Sequence, residues 1–383
     1  MTMPFDGVDA ALIAVMVLSA ILLLWPFVFY PLILRALPTR PLALDPGVPT
    51  PSASLLFCAY NEASSLPAKI ANLRELKTRH PDLDILVYDD GSDDGTGALL
   101  AEARDILSDV RGPGRSGKAH GMKLLAARAR GDILIFTDAN VLLAEDAVER
   151  LLGHYSDPQV GGVLGSLRYD GASKSATAGV GGLYWRIEEM LKDAESRTGN
   201  VMGADGSIFS VRAALYPEFP DDVLDDLTVS MAVVFAGQRL IKAKDVVAHE
   251  TLVAARQDEY RRKLRIAARA WHTHRHLRPE LRRMSALDRF KYASRKIVRW
   301  FGAAWMAVGG FAALALAWRV SPFAGIALIA GALVLLLVGL QVRRGPLAAL
   351  VDLVLAYVAT LRGVLLAMAG KTFTTWAPAK SRD

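Results

Sequence analysis

The chain has 383 residues, of which 52% are hydrophobic, and its formal net charge is +6 at pH 7. This length exceeds that of most compact domains, and the hydrophobic share is high for a protein without membrane segments. Much of the positive charge lies in residues 256–299 beside an apolar segment, without a nucleic-acid-binding motif. We therefore expect anionic lipid, and no nucleic acid, as its partner. Cys58 is the only cysteine, which excludes an internal disulfide bond and suits a reducing compartment.

An apolar segment covers about residues 10–34 and has several aromatic residues near one end. A run of about 20 apolar residues is long enough to cross the hydrocarbon core of a membrane. No basic region precedes the segment, and no small-residue cleavage site follows it. These features favour an uncleaved N-terminal transmembrane anchor over residues 1–40 rather than a signal peptide.

Three short apolar runs each end in a cluster of polar residues, and they cover residues 55–58, 85–88 and 133–136. A continuous apolar run of this length is typical of a strand that is buried on both faces. Ligands of open parallel sheets bind beyond the carboxyl ends of the strands. Because carboxylates and amides follow each run, the sequence predicts an Asp-rich polar crevice at that edge.

Helical patterns alternate with these strands over about residues 66–76, 97–107 and 119–129. The alternation predicts right-handed crossovers and an α/β fold with a parallel sheet. The polar region between the membrane segments is large enough for one such domain, which we place at residues 50–282. A basic interfacial helix is expected next, at residues 283–300.

Three further apolar segments lie at about residues 301–318, 323–340 and 346–369. The first two predict a helical hairpin. The last carries Asp352 and Arg362, so it either spans the membrane or lies in its interface with one polar stripe.

The distribution of basic residues predicts the orientation of the chain in the membrane. Basic residues follow the first span, precede the second and follow the third, whereas none precedes the first. All three sites face the cytoplasm if the N-terminus is outside, which places the polar domain on the cytoplasmic side of the inner membrane. The tail over residues 371–383 is also basic, which favours an interfacial last segment within the C-terminal membrane region, residues 301–370.

Five short strings, in their order and spacing, resemble those of the family 2 glycosyltransferases, which are inverting enzymes with a GT-A fold. The resemblance covers about residues 52–272, and the flanking apolar segments resemble those of membrane-bound members. It implies a Rossmann-like, mostly parallel sheet with helices on both faces and a nucleotide-sugar donor. The matching strings are Ala59–Glu62, Tyr88–Thr96, Gly117–Lys118, Gly131–Asn140 and Asp225–Leu227.

The resemblance also implies which residues hold the nucleoside of the donor, which we expect to be UDP-linked. Asp90 would accept a hydrogen bond from the uracil ring N–H. Ala59, Tyr60 and Glu62 line the same end of the first strand. The alternative for residues 89–92 is a tight turn with a helix cap, a role that Asp and Ser suit.

On the diphosphate side, the resemblance points to Lys118 in the Gly-rich loop and to Arg265. Lys118 could instead be a solvated loop lysine. Arg265 matches the arginine of the Gln-x-x-Arg-Trp motif of processive members and could clamp the diphosphate charge. Arg262 and Ile266 replace the Gln and Trp of that motif. The missing Trp argues against a processive polysaccharide synthase that extrudes its product, which remains the alternative.

Asp138, at the end of the third strand, would ligate a divalent cation, Mn²⁺ or Mg²⁺, that holds the diphosphate through oxygen ligands. The family motif is usually Asp-x-Asp, and Asn140 stands at its third position. An amide oxygen can ligate a metal, but it supplies no charge. His249 is a further candidate ligand. The alternative is that Asp138 caps a turn.

Inversion requires a base that takes the proton of the acceptor hydroxyl. The resemblance places this base in the pair Asp225-Asp226 before a helical pattern, with Asp226 as the first candidate and Asp225 as the second. Both could instead be helix N-terminal acids favoured by the macrodipole. Asp205 and Trp185 are candidate acceptor contacts, although core packing is an alternative for Trp185.

The sequence therefore predicts a membrane-bound, inverting glycosyltransferase with a lipid-linked or surface-glycan acceptor. Its partners would be the nucleotide sugar, the acceptor and membrane lipid, and an oligomer is compatible with the sequence. Asn140 and Lys123, the latter where the family commonly has Asn, keep open a non-catalytic, nucleotide-sensing membrane protein. Asp90, Asp138 and Asp226 argue against that second class.

Overall fold

The polar domain is built on one mixed sheet of eight strands in the part of the chain that the structure describes. The structure, a computed structural model, describes residues 6–170, 176–251, 256–342 and 345–375, so the end of the predicted tail lies outside the described residues. The strands are β1 Ala53–Ala59, β2 Asp84–Asp89, β3 Ser108–Arg111, β4 Ile133–Thr137, β5 Leu142–Leu143, β6 Val160–Asp170, β7 Ile208–Arg212 and β8 Arg239–Thr251. Their order across the sheet is β3-β2-β1-β4-β7-β6-β8-β5.

The first four strands in chain order run parallel to one another. β1 lies between β2 and β4, and β3 lies beside β2. β7 then enters antiparallel between β4 and β6. β8 pairs parallel with β6 and antiparallel with β5. The parallel half confirms the expected Rossmann-like arrangement, and β7 and β5 are the strands that make the sheet mixed.

Helices pack on both faces of the sheet. In chain order the helices are α1 Gly7–Leu24, α2 Tyr30–Ala36, α3 Leu66–Arg79, α4 Thr96–Glu102, α5 Lys118–Ala126, α6 Ala147–Gly153, α7 Ala176–Arg197, α8 Asp225–Phe235, α9 Arg256–His276, α10 Arg278–Arg283, α11 Ala286–Tyr292, α12 Val298–Trp300, α13 Gly302–Val320, α14 Pro322–Gln341 and α15 Pro346–Met368. Phe57 lies in one apolar cluster with Leu73 of α3, whereas Leu56 lies in the opposite cluster with Met122 of α5. Because side chains alternate between the faces of a strand, burial on both faces explains the unbroken apolar runs.

Four helices in the described ranges are long and apolar enough to cross a membrane. The first spans Gly7–Ala36, where a π-helical turn joins α1 to α2, and the others are α13, α14 and α15. Their apolar side chains face outward, as lipid contact requires, and Phe323 is 85% exposed. These helices confirm the predicted apolar segments at both ends of the chain. α15 is the most buried of the four, because 28% of its most apolar 18-residue stretch is buried within the protein.

The membrane helices differ in what they pack against. α1 and α13 are antiparallel neighbours, because the start of α1 meets the end of α13, where Arg319 Nε donates to Asp9 Oδ1 at 2.6 Å. α15 instead packs closely along α9 of the polar domain. A Cβ atom added to Gly363 would lie only 2.3 Å from the carbonyl oxygen of Leu264, so this close approach depends on glycine.

The segment after α15 returns to the polar domain. The carbonyl oxygen of Lys371 lies 2.9 Å from Nε2 of His272 in α9. Further on, the carbonyl oxygen of Thr374 lies 2.3 Å from where a Cβ atom on Gly117 would stand. Gly117 has a φ of +94°, which favours glycine there. Residues 371–375 therefore lie against the loop that precedes α5.

Candidate active site

The loops after β1 and β2 are bound to each other by side chains from the predicted strings. Asn61 has a φ of +50°, and its side chain bonds Asp93 in both directions, at 2.8 and 3.0 Å. Asp89 Oδ1 accepts a hydrogen bond from the Ser92 N–H at 3.0 Å, and Thr96 Oγ1 accepts one from Glu62 N–H at 2.9 Å. Most polar residues of these strings therefore shape the turn, as the turn alternative requires.

Asp90 is fully buried and belongs to a small group with Tyr60 and Arg115. Its carboxylate accepts hydrogen bonds from the N–H groups of Ser116 and Gly117 at 2.6 and 3.0 Å and from Arg115 Nε at 3.2 Å. The Arg115 guanidinium lies 3.4 Å from the centre of the Tyr60 ring. A nucleobase that forms a hydrogen bond with Asp90 must therefore share its carboxylate with the loop before α5.

Lys118 lies between two carboxylates from different parts of the chain, Asp138 after β4 and Asp225 at the start of α8. Its Nζ atom lies 2.6 Å from Asp138 Oδ1 and 3.9 Å from Asp225 Oδ2. Although burial opposes the charged form, the carboxylates of Asp138, Asp225 and Asp226 raise the pKa of Lys118 above its ordinary value. The lysine is therefore a fixed positive charge among carboxylates, which does not fit the alternative of a solvated loop lysine.

The turn that carries Asp138 is held from behind by α3. Lys69 is fully buried, and its Nζ donates to the Val141 carbonyl at 2.5 Å. Asn72 bonds Leu143 twice, donating to its carbonyl at 2.8 Å and accepting from its N–H at 2.9 Å. These bonds fix the backbone on the C-terminal side of Asp138.

The candidate metal ligands are only partly brought together. Asn140 Nδ2 donates to Glu250 Oε1 at 2.9 Å, which leaves its amide oxygen as the atom able to ligate. His249 lies opposite Leu142 in the β5–β8 pair. The described residues contain no group of three or more His, Cys, Asp or Glu side chains that could hold a metal ion. Because Mg²⁺-type sites combine one or two protein carboxylates with substrate phosphates, Asp138 and the Asn140 oxygen fit a cation that arrives with a diphosphate.

Asp225 and Asp226 occupy the first turn of α8. Burial, and then the charge of Asp225, raise the pKa of Asp226 to about 7. The start of this helix is fixed by α9, since Thr273 Oγ1 accepts from the Leu224 N–H at 2.8 Å and Arg269 donates to the Val223 carbonyl. Asp226 is thus a rigidly placed carboxylate whose pKa suits a general base near neutral pH.

The two candidate acceptor residues meet at Lys192. Its Nζ atom lies 2.5 Å from Asp205 Oδ2 and 4.5 Å from the centre of the Trp185 ring. Although burial opposes it, Lys192 lowers the pKa of Asp205. The indole N–H of Trp185 donates to the Leu167 carbonyl at 3.1 Å. The ring itself packs against the core. Trp185 thus has the contacts expected of its alternative role in core packing.

The candidate diphosphate residue Arg265 lies half-buried on α9.

Four side chains have structural roles around the site that the sequence did not predict. Arg115 precedes Lys118 in the Gly-rich loop, and its position there was the available signal. Lys69 and Asn72 stand three residues apart on the inner face of a helical pattern, where polar residues are unusual. Lys123, at the position where an Asn was expected, is tied to Asp221 Oδ1 at 2.7 Å and so anchors the segment before α8.

Known proteins resemble this domain in sequence and in fold. Residues 54–218 match the family model described as glycosyl transferase family 2. An N-acetylglucosaminyltransferase of Rhizobium leguminosarum bv. trifolii is 29% identical over 123 residues, which are 30% of this chain and 67% of that protein. A 4,4'-diaponeurosporenoate glycosyltransferase of Staphylococcus haemolyticus is 32% identical over 123 residues, 31% of this chain and 32% of that protein.

One solved structure resembles nearly the whole chain. It is a mannosyltransferase from Pyrobaculum calidifontis in complex with GDP-Man and Mn²⁺, with a TM-score of 0.73 and 22% identity. The match covers 92% of this chain and 99% of that one, so the likeness in fold extends well beyond residues 54–218.

Proposed function

We propose that this chain, whose residues 54–218 match the family model described as glycosyl transferase family 2, transfers a sugar with inversion from a nucleotide-sugar donor to an acceptor hydroxyl. The observation that carries the proposal is Asp226, a carboxylate with a pKa near 7 beside the Lys118–Asp138 pair. Inverting transfer requires a general base, here Asp226, close to a positive charge that binds the diphosphate, here Lys118.

The donor would lie across the carboxyl ends of β1, β2 and β4. Tyr60 and Asp90 would contact its base, and we propose uracil. Lys118 would contact the diphosphate, with Arg265 as a further clamp. Asp138 and the Asn140 amide oxygen would hold a divalent cation, Mn²⁺ or Mg²⁺, on the diphosphate, and His249 is kept as a candidate third ligand. A bound cation would supply charge neutralisation for the departing diphosphate.

In the transfer step, Asp226 takes the proton of the acceptor hydroxyl while the oxygen attacks the anomeric carbon. The bond between that carbon and the diphosphate oxygen breaks on the opposite face, and its electron pair leaves with the diphosphate. Lys118 stabilises the negative charge that develops there. The products are the β- or α-linked sugar of opposite anomeric configuration and a nucleoside diphosphate.

A membrane location supports a lipid-linked or surface-glycan acceptor. Four candidate membrane helices flank the domain, and α15 and residues 371–375 lie against the polar domain. That contact supports an interfacial α15 with both ends on the side of the polar domain. We propose that this side is the cytoplasmic face of the inner membrane, in keeping with the positive-inside rule.

The test compares Asp226→Asn with wild type and with Asp245→Asn, a control at an exposed position of β8 that pairs with His154 and with no candidate site residue. We expect Asp226→Asn to lower sugar transfer by roughly 10²–10⁴-fold, the usual contribution of a general base, while donor binding persists. UDP- and GDP-sugars are screened with and without Mn²⁺, and released nucleoside diphosphate is measured. Unchanged transfer in Asp226→Asn would refute the assigned base, and long products from single binding events would establish a processive synthase.

A further inference from the structure

Four cationic side chains converge where the first membrane helix, α7 and the segment before α13 meet. They come from residues 291–299 and lie around two glutamates of α7, with Lys291 bonded to the main-chain carbonyl of Glu195. We call this group the junction cluster; its cations are Lys291, Arg295, Lys296 and Arg299, and its carboxylates are Glu188 and Glu195. Four cations against two carboxylates leave a formal excess of two positive charges in a largely buried place.

Both carboxylates are fully engaged within the cluster. Arg295 reaches Glu188 Oε2 at 2.9 Å and Glu195 Oε2 at 2.6 Å. Arg299 pairs with the other oxygen of Glu188, and the Tyr30 hydroxyl donates to the other oxygen of Glu195 at 2.5 Å. Each oxygen of the two carboxylates therefore already accepts a hydrogen bond from within the cluster or from Tyr30.

Several cationic donors nevertheless remain unused. Nε and Nη2 of Arg299 and Nε of Arg295 are buried without a hydrogen-bond partner among the described residues. Lys296 is half-buried, and within those ranges no hydrogen bond or ion pair joins its ammonium to another residue. Buried polar groups are normally satisfied, so a group of unsatisfied cationic donors points to an anion that belongs there.

The position of the cluster indicates where this anion comes from. The Arg299 guanidinium lies 5.3 Å from the Phe27 ring in the first membrane helix. Trp25 and Tyr30 of the same helix pack on Phe290. Aromatic side chains of this kind mark the level of the lipid head groups. The cluster therefore lies at head-group depth, where lipid phosphates are found.

The other side of the cluster leads to the catalytic helix. Lys296 Nζ lies 3.8 Å from where a Cβ atom on Gly203 would stand, and the same Cβ would meet Leu227 Cδ1 at 2.4 Å. Leu227 follows the candidate base Asp226 directly. A ligand bound by Lys296 would thus extend from the level of the lipid head groups toward Asp226.

We propose that Lys296 and Arg299 bind the anionic head group, a phosphate or diphosphate, of the lipid that carries the acceptor. An ammonium beside a guanidinium offers the point charge and the planar donors that phosphate oxygens accept. The assignment rests on the proposed function, because it names the chemical class of the acceptor.

The experiment measures thermal stabilisation of the purified full chain in detergent micelles by farnesyl diphosphate and by farnesol. Saturating UDP is present throughout, so that the donor site does not take up the diphosphate probe. We expect farnesyl diphosphate to stabilise wild type and farnesol to have no effect. Lys296→Gln should weaken the apparent affinity for farnesyl diphosphate at least tenfold, and Lys296→Arg should retain it. Lys296 makes no hydrogen bond or ion pair with a described residue, so its replacement by Gln breaks none. Arg289→Gln, an exposed change of equal charge, is the control.

Equal affinity in Lys296→Gln and wild type, or equal stabilisation by farnesol, overturns the proposal. A parallel series in nanodiscs compares phosphatidylglycerol with phosphatidylcholine. If phosphatidylglycerol gives the same Lys296-dependent stabilisation, the cluster is a general anionic-lipid site and the acceptor assignment fails. The proposed function has a separate readout, since it fails if the wild-type protein binds no nucleotide or nucleotide sugar at all.

Discussion

Asp226 has a pKa of about 7, because burial and then the charge of Asp225 raise it from the ordinary value of 3.8. A general base acts in its deprotonated form, so kcat/KM should rise about tenfold per pH unit below pH 7 and level off above it. A pH profile of wild type between pH 5.5 and 9 measures this. A profile that is flat across neutrality would be incompatible with Asp226 as the base.

The same raised pKa has a consequence for stability. Because the folded-state pKa lies above the unfolded value of 3.8, ionised Asp226 opposes folding fully above pH 7, and the penalty disappears below about pH 4. Asp226→Asn should therefore melt at a higher temperature than wild type at pH 8, and the difference should shrink as the pH falls. Thermal unfolding of both proteins at pH 8 and at about pH 4 checks this. A difference in melting temperature that is independent of pH would assign the effect to packing.

Lys118 is expected to tune this base as well as to bind the diphosphate. Its charge lowers the pKa of Asp226 against the larger effects of burial and Asp225. Lys118→Met should therefore move the rising limb of the pH profile to higher pH and raise the KM of the donor. Lys118→Arg keeps the charge and should restore the position of the limb. A limb that stays in place in Lys118→Met would show that the two charges are uncoupled.

At the scale of the elements, α3 supports the turn between β4 and β5. Asn72→Ala removes both bonds to Leu143 and leaves buried backbone groups unsatisfied, which should cost about 1–3 kcal/mol of unfolding free energy per group. Because the turn carries Asp138, the KM of the donor should also rise. Glu75→Ala, an exposed change on the same helix, is the control in denaturant unfolding and in kinetics. Equal effects of the two changes would show that the bonds do not stabilise the turn.

Local pattern was sufficient to predict the strands that carry the site. The apolar runs at 55–58, 85–88 and 133–136 fall within or against β1, β2 and β4, because burial on both faces leaves a signature in the sequence itself. The antiparallel entry of β7 left no such signature, since strand direction depends on how a distant segment returns to the sheet. Arg115 over Tyr60 is a contact between residues far apart in the chain, which periodicity does not report. Trp185 shows the converse, because an aromatic residue suits a sugar and a core equally well.

At the scale of the whole molecule, the ion pair between Asp9 and Arg319 and the contacts of residues 371–375 define two opposite ends. We expect Val320→Cys to be labelled by an impermeant thiol reagent from outside intact cells. Lys371→Cys should be labelled only after permeabilisation. Both are made in a Cys58→Ala background, in which no other thiol reacts. The reverse pattern would invert the proposed orientation.

The contact of Thr374 with Gly117 has a consequence for biosynthesis. A ribosome makes the loop before α5 long before it makes α13, α14 and α15, so during translation Gly117 faces water where it later faces backbone. The loop before α5 acquires its final neighbours only when α15 has been made and packs beside α9. A nascent or interrupted chain would thus carry every acidic residue of the candidate site before residues 371–375 are in place. The proposed nucleotide-sugar donor would meet the finished site only after α15 has been made.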